Sequence, residues 1–413
     1  MARRALAPDT PGSRALIVDL VRSAGPISRV ELTQATGLTQ AAVSMIVRKL
    51  LDDDVVVEVG SAPSSGGKPR RLLDMNRSAR YGLGIQLGAE SMTVVATDTS
   101  GGVVARERHG GAGDDEPAAV VAWMAEVFRR FVATAEIPRR SIGGVAVVVP
   151  GPIAADGLVG APTLTRWSGF GLREELERRV ELPVLVDNDA NAAALGEFWG
   201  RGVSRYTAFG CVYIGAGIGA GVVVDGALYR GASSNAAELG HISVDRDGPP
   251  CFCGGTGCLE RLASPAAVVE EARRSPQDFA GLGLEDPGRT PPEVYELLSR
   301  AAVAGHGPAE EVITRAARLV ASATLTFCTL FDLDEVVLSG PALATAGSIY
   351  AREVRGTLEQ RGFARRTHET AVSLSTHPRD AAAVGAAALT LQGALSPGHG
   401  PALSFTSGYL AGP

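Results

Sequence analysis

Apolar residues recur along this chain with two periods, and each change of period marks a change of predicted element. Over residues 13–24, Leu16, Ile17, Leu20 and Val21 share one helical face, and Gly25-Pro26 ends the run. Ser28 with Glu31 three residues on forms a capping box that opens a second helix, closed at Gly37. Thr39 caps a third helix, in which Val43, Ile46, Val47 and Leu50 face inward. Residues 55–59 are β-rich, and with Leu72-Leu73 beyond a polar loop they predict a hairpin. After residue 80 the pattern alternates between strands and helices. Residues 81–98 read as two strands around a turn, Gly101-Gly102 leads into a third, a helix lies near 120–135 and a buried strand spans 144–149. A similar series resumes at 208–224 and 335–338, and an apolar helix runs over 309–328. Such alternation predicts an α/β fold. Residues 281–307 read as a surface loop and helix, and the two ends, 1–12 and 396–413, as disordered tails.

Two short helices joined through a glycine, followed by a basic hairpin, are the plan of a winged helix-turn-helix DNA-binding domain. The third helix then offers Thr39, Gln40, Ala42, Ser44 and Arg48 to bases or phosphates. The hairpin tip offers Lys68, Arg70 and Arg71 beside Gly66-Gly67, a wing for phosphates or the minor groove. A small packing or dimerisation module would show similar helices. Charge favours DNA: residues 1–80 hold 12 basic against 8 acidic side chains, whereas the remainder holds 27 against 37. Among the 413 residues, 45% are hydrophobic and 20% charged, which excludes a disordered chain, and no uncharged apolar run has the length of a membrane helix.

Residues 235–261 concentrate the candidate chemistry. His241, Cys251, Cys253 and Cys258 follow an H-x9-C-x-C-x4-C spacing, with Gly248, Gly254, Gly255 and Gly257 between them. Three thiolates and one imidazole make a closed ligand set for structural zinc, and glycines allow the sulfurs to converge. Metal-free buried cysteines or a disulfide are the plainer alternatives, but Cys251 and Cys253 are too close in sequence to pair easily. Nothing indicates secretion, so a reduced cytoplasm is the expected compartment. A second cluster is Asp187-Asn188-Asp189-Ala190-Asn191, at the end of a Val- and Leu-rich strand. Polar groups there can bond to hydroxyls or simply cap the next helix.

Glu238-x-Gly240-His241, followed by C-x-C-G-x-x-G-C-L-E ending at Glu260, resembles the signature of the ROK family of repressors and sugar kinases. The resemblance covers nearly all of the chain after Arg80. It implies an actin-like (ribonuclease H-like) two-lobed body: a small lobe over 78–190, completed by a helix at about 380–394, and a large lobe over 191–379. The winged domain would occupy 13–77 ahead of them. Val186-Asp187-Asn188-Asp189-Ala190-Asn191-Ala192 matches the family's sugar motif, so the resemblance assigns Asn188, Asp189, Glu238, His241 and Glu260 to sugar, with Asp189 at the position of the kinase base. It likewise implies that His241 serves both zinc and sugar through its two nitrogens.

Family kinases carry D-I-G-G-T-K where this chain has Gln86-Leu87-Gly88-Ala89-Glu90-Ser91. Gln86 cannot supply the acidic charge, Ala89 crowds a backbone that must approach phosphate, and Glu90 brings like charge toward a polyphosphate. The Gly-rich stretch Ile214–Gly221 has the composition of a phosphate cradle, but such turns also serve tight strand packing. Ser339-Gly340-Pro341 departs from the glycines kinases carry there, and Thr163 replaces the Asn of the family's A-P-N-L motif in Ala161-Pro162-Thr163-Leu164. The expectation is therefore a non-enzymatic, sugar-responsive transcriptional regulator of carbohydrate genes, most simply a repressor. It would act as a homodimer on operator DNA, with tetramers left open and the effector in the interlobe cleft. Two alternatives stand beside it: an ATP-dependent sugar kinase fused to a DNA-binding head, and a regulator that answers to a partner protein.

Overall fold

The computed structural model describes residues 11–62, 70–154, 157–158, 163–202 and 207–395. The wing-tip residue Lys68, the Ala161-Pro162 pair, residues 1–10 of the expected N-terminal tail and residues 396–413 lie outside these, whereas Pro11 and Gly12, expected in that tail, open a helix. The head consists of α1 (Pro11–Ala24), β1 (Ile27–Ser28), α2 (Arg29–Thr36), α3 (Gln40–Asp52), β2 (Val56–Ala62) and β3 (Arg70–Met75). Its local chemistry follows the sequence closely. Ser28 Oγ accepts from the Glu31 N–H while Glu31 accepts from the Ser28 N–H at 2.8 Å, and Gly37 ends α2 at φ 71°. Thr39 Oγ1 accepts from the Ala42 N–H at 3.2 Å. The strands pair antiparallel in the order β1-β3-β2, and Leu16, Ile17, Leu32, Val43, Val47, Leu50 and Leu73 fill the core.

Next come β4 (Tyr81–Leu87), β5 (Ser91–Thr97), β6 (Val103–Gly110), α4 (Pro117–Thr134) and β7 (Ile142–Val149). A small ribbon, β8 (Ile153–Ala154) with β9 (Gly157–Leu158), leads to α5 (Leu172–Val180), β10 (Val184–Asn188) and α6 (Asp189–Gly200). These strands form a sheet ordered β10-β7-β4-β5-β6, parallel at β10–β7–β4 and antiparallel beyond. The near-continuous apolar run of β7 suits its central place, buried on both faces.

The second sheet contains β11 (Phe209–Ile214) and β12 (Ile218–Val224), after which the short β13 (Ala227–Leu228) returns to the first unit. Then follow α7 (Leu259–Ala263), α8 (Pro265–Arg273), α9 (Pro291–Val303), α10 (Gly307–Phe331), β14 (Glu335–Ser339), α11 (Leu343–Arg361) and β15 (Ala371–Leu374). Within the second unit the order is β12-β11-β14-β15, with β11, β14 and β15 parallel, and α9, α10 and α11 pack into one large core around it. Finally α12 (Ala381–Leu395) rejoins the first unit. A Cβ on Gly84 of β4 would overlap the Ala383 carbonyl, and one on Gly385 would overlap the backbone of Ala192 in α6. Bare glycine on both sides is what lets α12 lie against strand and helix at backbone contact.

The chain thus divides into two compact units. One holds residues through Tyr206 together with Asp225–Leu228 and Ala383 onward, and the other holds Thr207–Val224 and Tyr229–Ala382. Helix α6, covered from Ala190 to Trp199, lies in the first unit. No helix among the described residues is long and apolar enough to cross a membrane.

Candidate functional site

Within the second unit, residues 239–259 fold into a tight double-backed loop. Val244 N–H donates to the Gly257 carbonyl at 2.9 Å, Gly257 N–H to Pro249 at 2.8 Å, and Leu259 N–H to Ile242 at 2.9 Å. Cys251 N–H reaches the Gly255 carbonyl at 2.9 Å, closing the turn that carries two of the sulfurs. His241 sits at the end of a single 3-10 turn opened by Glu238. One donor atom each from His241, Cys251, Cys253 and Cys258 lies within 4.8 Å of all the others. His241 Nδ1 is 3.6 Å from Cys251 Sγ, and Cys253 Sγ is 3.6 Å from Cys258 Sγ. All three cysteines are free thiols, so the disulfide alternative is not adopted. The Gly255 N–H holds the Cys253 thiol below its ordinary value, whereas burial and the neighbouring sulfurs push Cys258 up to about 12. This set can hold a metal ion.

With Nδ1 turned toward the sulfurs, the second ring nitrogen of His241 faces away from them. Phe252, 57% exposed, meets the imidazole edge-on at 5.0 Å between centroids. Glu238 is half-buried. Burial raises its carboxyl above the ordinary value, His241 opposing and Glu260 adding to the shift. Glu260, at the start of α7, accepts from the Ile218 N–H at 2.9 Å. That contact explains part of the Gly-rich stretch: a Cβ on Gly217 would overlap the Glu260 carboxylate. The turn between β11 and β12 therefore already cradles an anion, and the anion is a side chain of the same unit.

In the first unit, β10 ends at Asn188 and α6 begins at Asp189. Asn188 is the N-cap: its Oδ1 accepts from Ala190 N–H at 2.8 Å and Asn191 N–H at 3.1 Å, and its Nδ2 donates to the Gly151 carbonyl at 3.1 Å. Capping thus uses the oxygen and leaves one amide hydrogen for a ligand. Both Asn188 and Asp189 are half-buried at the strand end. Asn191, deeper in the same motif, has a buried side-chain oxygen with no hydrogen-bond partner.

The turn that matches the kinase phosphate motif is closed on itself. Gly88 N–H donates to Ser91 O at 2.9 Å, as in an ordinary β4–β5 hairpin. Its outer side is filled as well: Ala112 N–H takes the Gly88 carbonyl at 2.9 Å and Gly113 N–H the Ala89 carbonyl at 2.8 Å.

In the head, Gln40 and Arg48 are exposed and Ser44 is half-exposed on α3, as the sequence suggests. Ala42 is a correction: at 5% exposure it lies in the core, one turn before Ile46 on the inward face. The outer face instead carries Ala41, Met45 and Lys49 along with Gln40 and Arg48. Thr39 is the cap of α3, and Arg70 and Arg71 stand exposed where β3 leaves the wing. Glu58 on β2 pairs with both Arg29 at 3.4 Å and Arg71 at 3.7 Å.

The sequence reading missed Gly217, whose partner is 43 residues away, and Phe252, whose place between two ligand candidates was the available signal. It also missed Arg22, which donates to the Trp199 carbonyl from 177 residues away.

The ROK family profile matches residues 82–393. The xylose repressor of Bacillus subtilis is 32% identical over 282 residues, 66% of this chain and 72% of its own length. Among solved structures, a ROK family transcriptional regulator described as a homolog of the E. coli MLC protein is 25% identical at a TM-score of 0.73, covering 94% of this chain and 97% of that one. A ROK glucokinase from Streptomyces griseus, solved with glucose and AMPPNP, is 28% identical at 0.63, covering 76% of this chain and all of its own. The mixed α/β architecture is the actin-like fold these structures share. With the family model matched over residues 82–393 and a repressor relative 32% identical, the chain belongs to the ROK family.

Proposed function

We propose that this protein is a sugar-responsive, DNA-binding transcriptional regulator, acting as a repressor of carbohydrate genes. The observation that carries the reading is the co-occurrence, in one chain, of an exposed α3 face with wing arginines and an Asn188/Asp189 and Glu238/Glu260 set of polar side chains. The xylose repressor and the ROK regulator among its relatives support the same assignment. On DNA, Gln40, Ser44 and Arg48 contact bases or phosphates, with Arg70 and Arg71 on the backbone and Lys68 extending the wing. The protein binds as a homodimer, reading two half-sites. Asn188, Asp189, Glu238, His241 and Glu260 are the residues that hydrogen-bond the sugar, the carboxylates accepting from its hydroxyls. It changes operator affinity only insofar as it binds one conformation better than the other.

Zinc is the ion that His241, Cys251, Cys253 and Cys258 would hold. Tetrahedral sulfur ligands at about 2.3 Å stand about 3.8 Å apart, close to the 3.6 Å between Cys253 and Cys258. Zinc there supplies cross-linking and no chemistry. His241, held through Nδ1, keeps its other nitrogen for a sugar hydroxyl, with Phe252 fixing the ring.

The protein does not transfer phosphate. Gly88 spends its N–H within the hairpin, Ile218 spends its own on Glu260, and Gln86 and Glu90 replace the residues of the kinase motif. Asp189, at the kinase base position, and the glucokinase relative favour the opposite reading. One experiment separates the two: thermal unfolding against a panel of aldopentoses and aldohexoses, each with and without Mg-ATP. A sugar that raises the midpoint by mass action, with no ADP released, is the expected result. ADP release that vanishes in Asp189→Asn would establish the kinase instead.

A further inference from the structure

Arg22, near the end of α1 in the DNA-binding head, is a buried arginine with an unusual set of partners. One terminal nitrogen (Nη1) donates to the Trp199 carbonyl at 2.7 Å, and the guanidinium lies over the Trp199 ring, 4.8 Å from its centroid. Its Nε and Nη2 are buried with no hydrogen-bond partner. Burial lowers its proton affinity from the ordinary value, and the Asp19 charge opposes that shift. An arginine at such a place is costly to keep. Two buried donors go unsatisfied, and a carbonyl, an aromatic face and the Asp19 charge compensate in part.

Trp199 stands at the far end of α6, the helix that begins at Asn188 and Asp189. The helix has 12 residues, about 18 Å of rise, and is covered from Ala190 to Trp199. A fully packed rod of that kind moves as one piece. Its two ends carry complementary charge: Asp189 in the first turn, and Arg22 on a carbonyl of the last, each favourable to the helix dipole. Around Trp199 other groups from the head meet the same body. Asn76 O accepts from Thr99 Oγ1 at 2.8 Å, and Arg77 pairs with Asp98 at 4.0 Å. Gly101, in the turn holding Asp98 and Thr99, faces the Trp199 ring, and Gly202 approaches the Ser23 backbone.

We propose that Arg22 is the positioning residue that couples the Asn188/Asp189 end of α6 to the DNA-binding head, by following the place of Trp199. A shift of α6 along its axis carries the Trp199 carbonyl with it. The unpaired nitrogens of Arg22 then gain or lose access to acceptors and water, and α1 follows. Because Nε and Nη2 are unsatisfied in the described state, a second position of the joint is favourable for them. This inference rests on the sugar-responsive reading above, since it assigns the effector to the opposite end of the same helix.

The test uses the full chain and a duplex selected by the wild-type protein from a random DNA pool, with D-xylose and D-glucose among the sugars tried. The wild type is expected to change its DNA affinity by about tenfold on binding its sugar, a usual size for coupling between sites. Arg22→Met should bind sugar within about twofold of wild type and still bind DNA, yet show less than a twofold response; Arg22→Lys, which keeps a charge and a donor for the carbonyl, should recover part of it. A purely structural arginine would change stability without changing that ratio. If Arg22→Met does not fold, Arg22→Gln, which shortens the side chain and removes the guanidinium from the Trp199 carbonyl and ring, reads the same joint, and a response kept at full size there would overturn the proposal. A wild type that responds, with an Arg22→Met that responds equally, sinks this inference alone. A wild type that binds DNA and answers to no sugar sinks both this inference and the function it rests on.

Discussion

The Cys-rich loop and the β4–β5 turn have fared differently in this chain. The loop keeps every donor atom its chemistry needs: one nitrogen and three sulfurs within 4.8 Å, and a carboxylate pinned to Ile218 N–H at 2.9 Å. The turn keeps a hairpin's shape without the residues of the kinase motif. Gly88 N–H closes the hairpin, neighbouring N–H groups take its carbonyls, and Glu90 stands where the kinase motif has threonine. Recognition and phosphate chemistry are separable in this fold because different segments supply them. A regulator needs the first and gains nothing from the second.

The largest expected effect is on the loop. Cys258→Ser removes a buried ligand, and zinc per chain, read by elemental analysis, should fall from about one to near zero. The unfolding midpoint should drop by roughly 6–12 °C, corresponding to about 3 kcal/mol. Full metal content in that variant would defeat the cross-link. Next in size is Gly217→Ala, whose Cβ collides with Glu260. It should cost about 1–3 kcal/mol of stability and weaken sugar binding by about tenfold or more in calorimetry. Unchanged affinity would remove Glu260 from the sugar contacts. The smallest effect belongs to the turn: Mg-ATP at millimolar concentration should shift the midpoint by less than about 1 °C, with or without sugar. A clear shift would mean that the closed hairpin opens to phosphate, and the contrast between the two regions would fail.

Much of this was legible from residue order because its causes are local. The head could be read from Ser28, Glu31, Gly37 and Thr39, since caps act within a few residues. The cysteine cluster was legible because its ligands span only 18 residues. Ala42 was misplaced because it flanks the apolar stripe, and a one-residue rotation of a helix decides such a position. Gly217 and Arg22 were invisible for another reason. A glycine in a Gly-rich run and an arginine near a helix end have many ordinary explanations, and only folding brings Glu260 to the one and Trp199 to the other.

Glu58 has a consequence for how the head meets a polyanion. It already shares its carboxylate between Arg29 and Arg71, so those guanidiniums arrive at DNA with an anion beside them. An arginine that stays on Glu58 neutralises no phosphate and so frees no condensed cation from the duplex. The affinity of this head for its operator should therefore fall with potassium chloride less steeply than a count of its arginines implies, by about 0.9 in the log–log slope for each arginine that stays on Glu58. Binding built this way holds over a wider range of ionic strength.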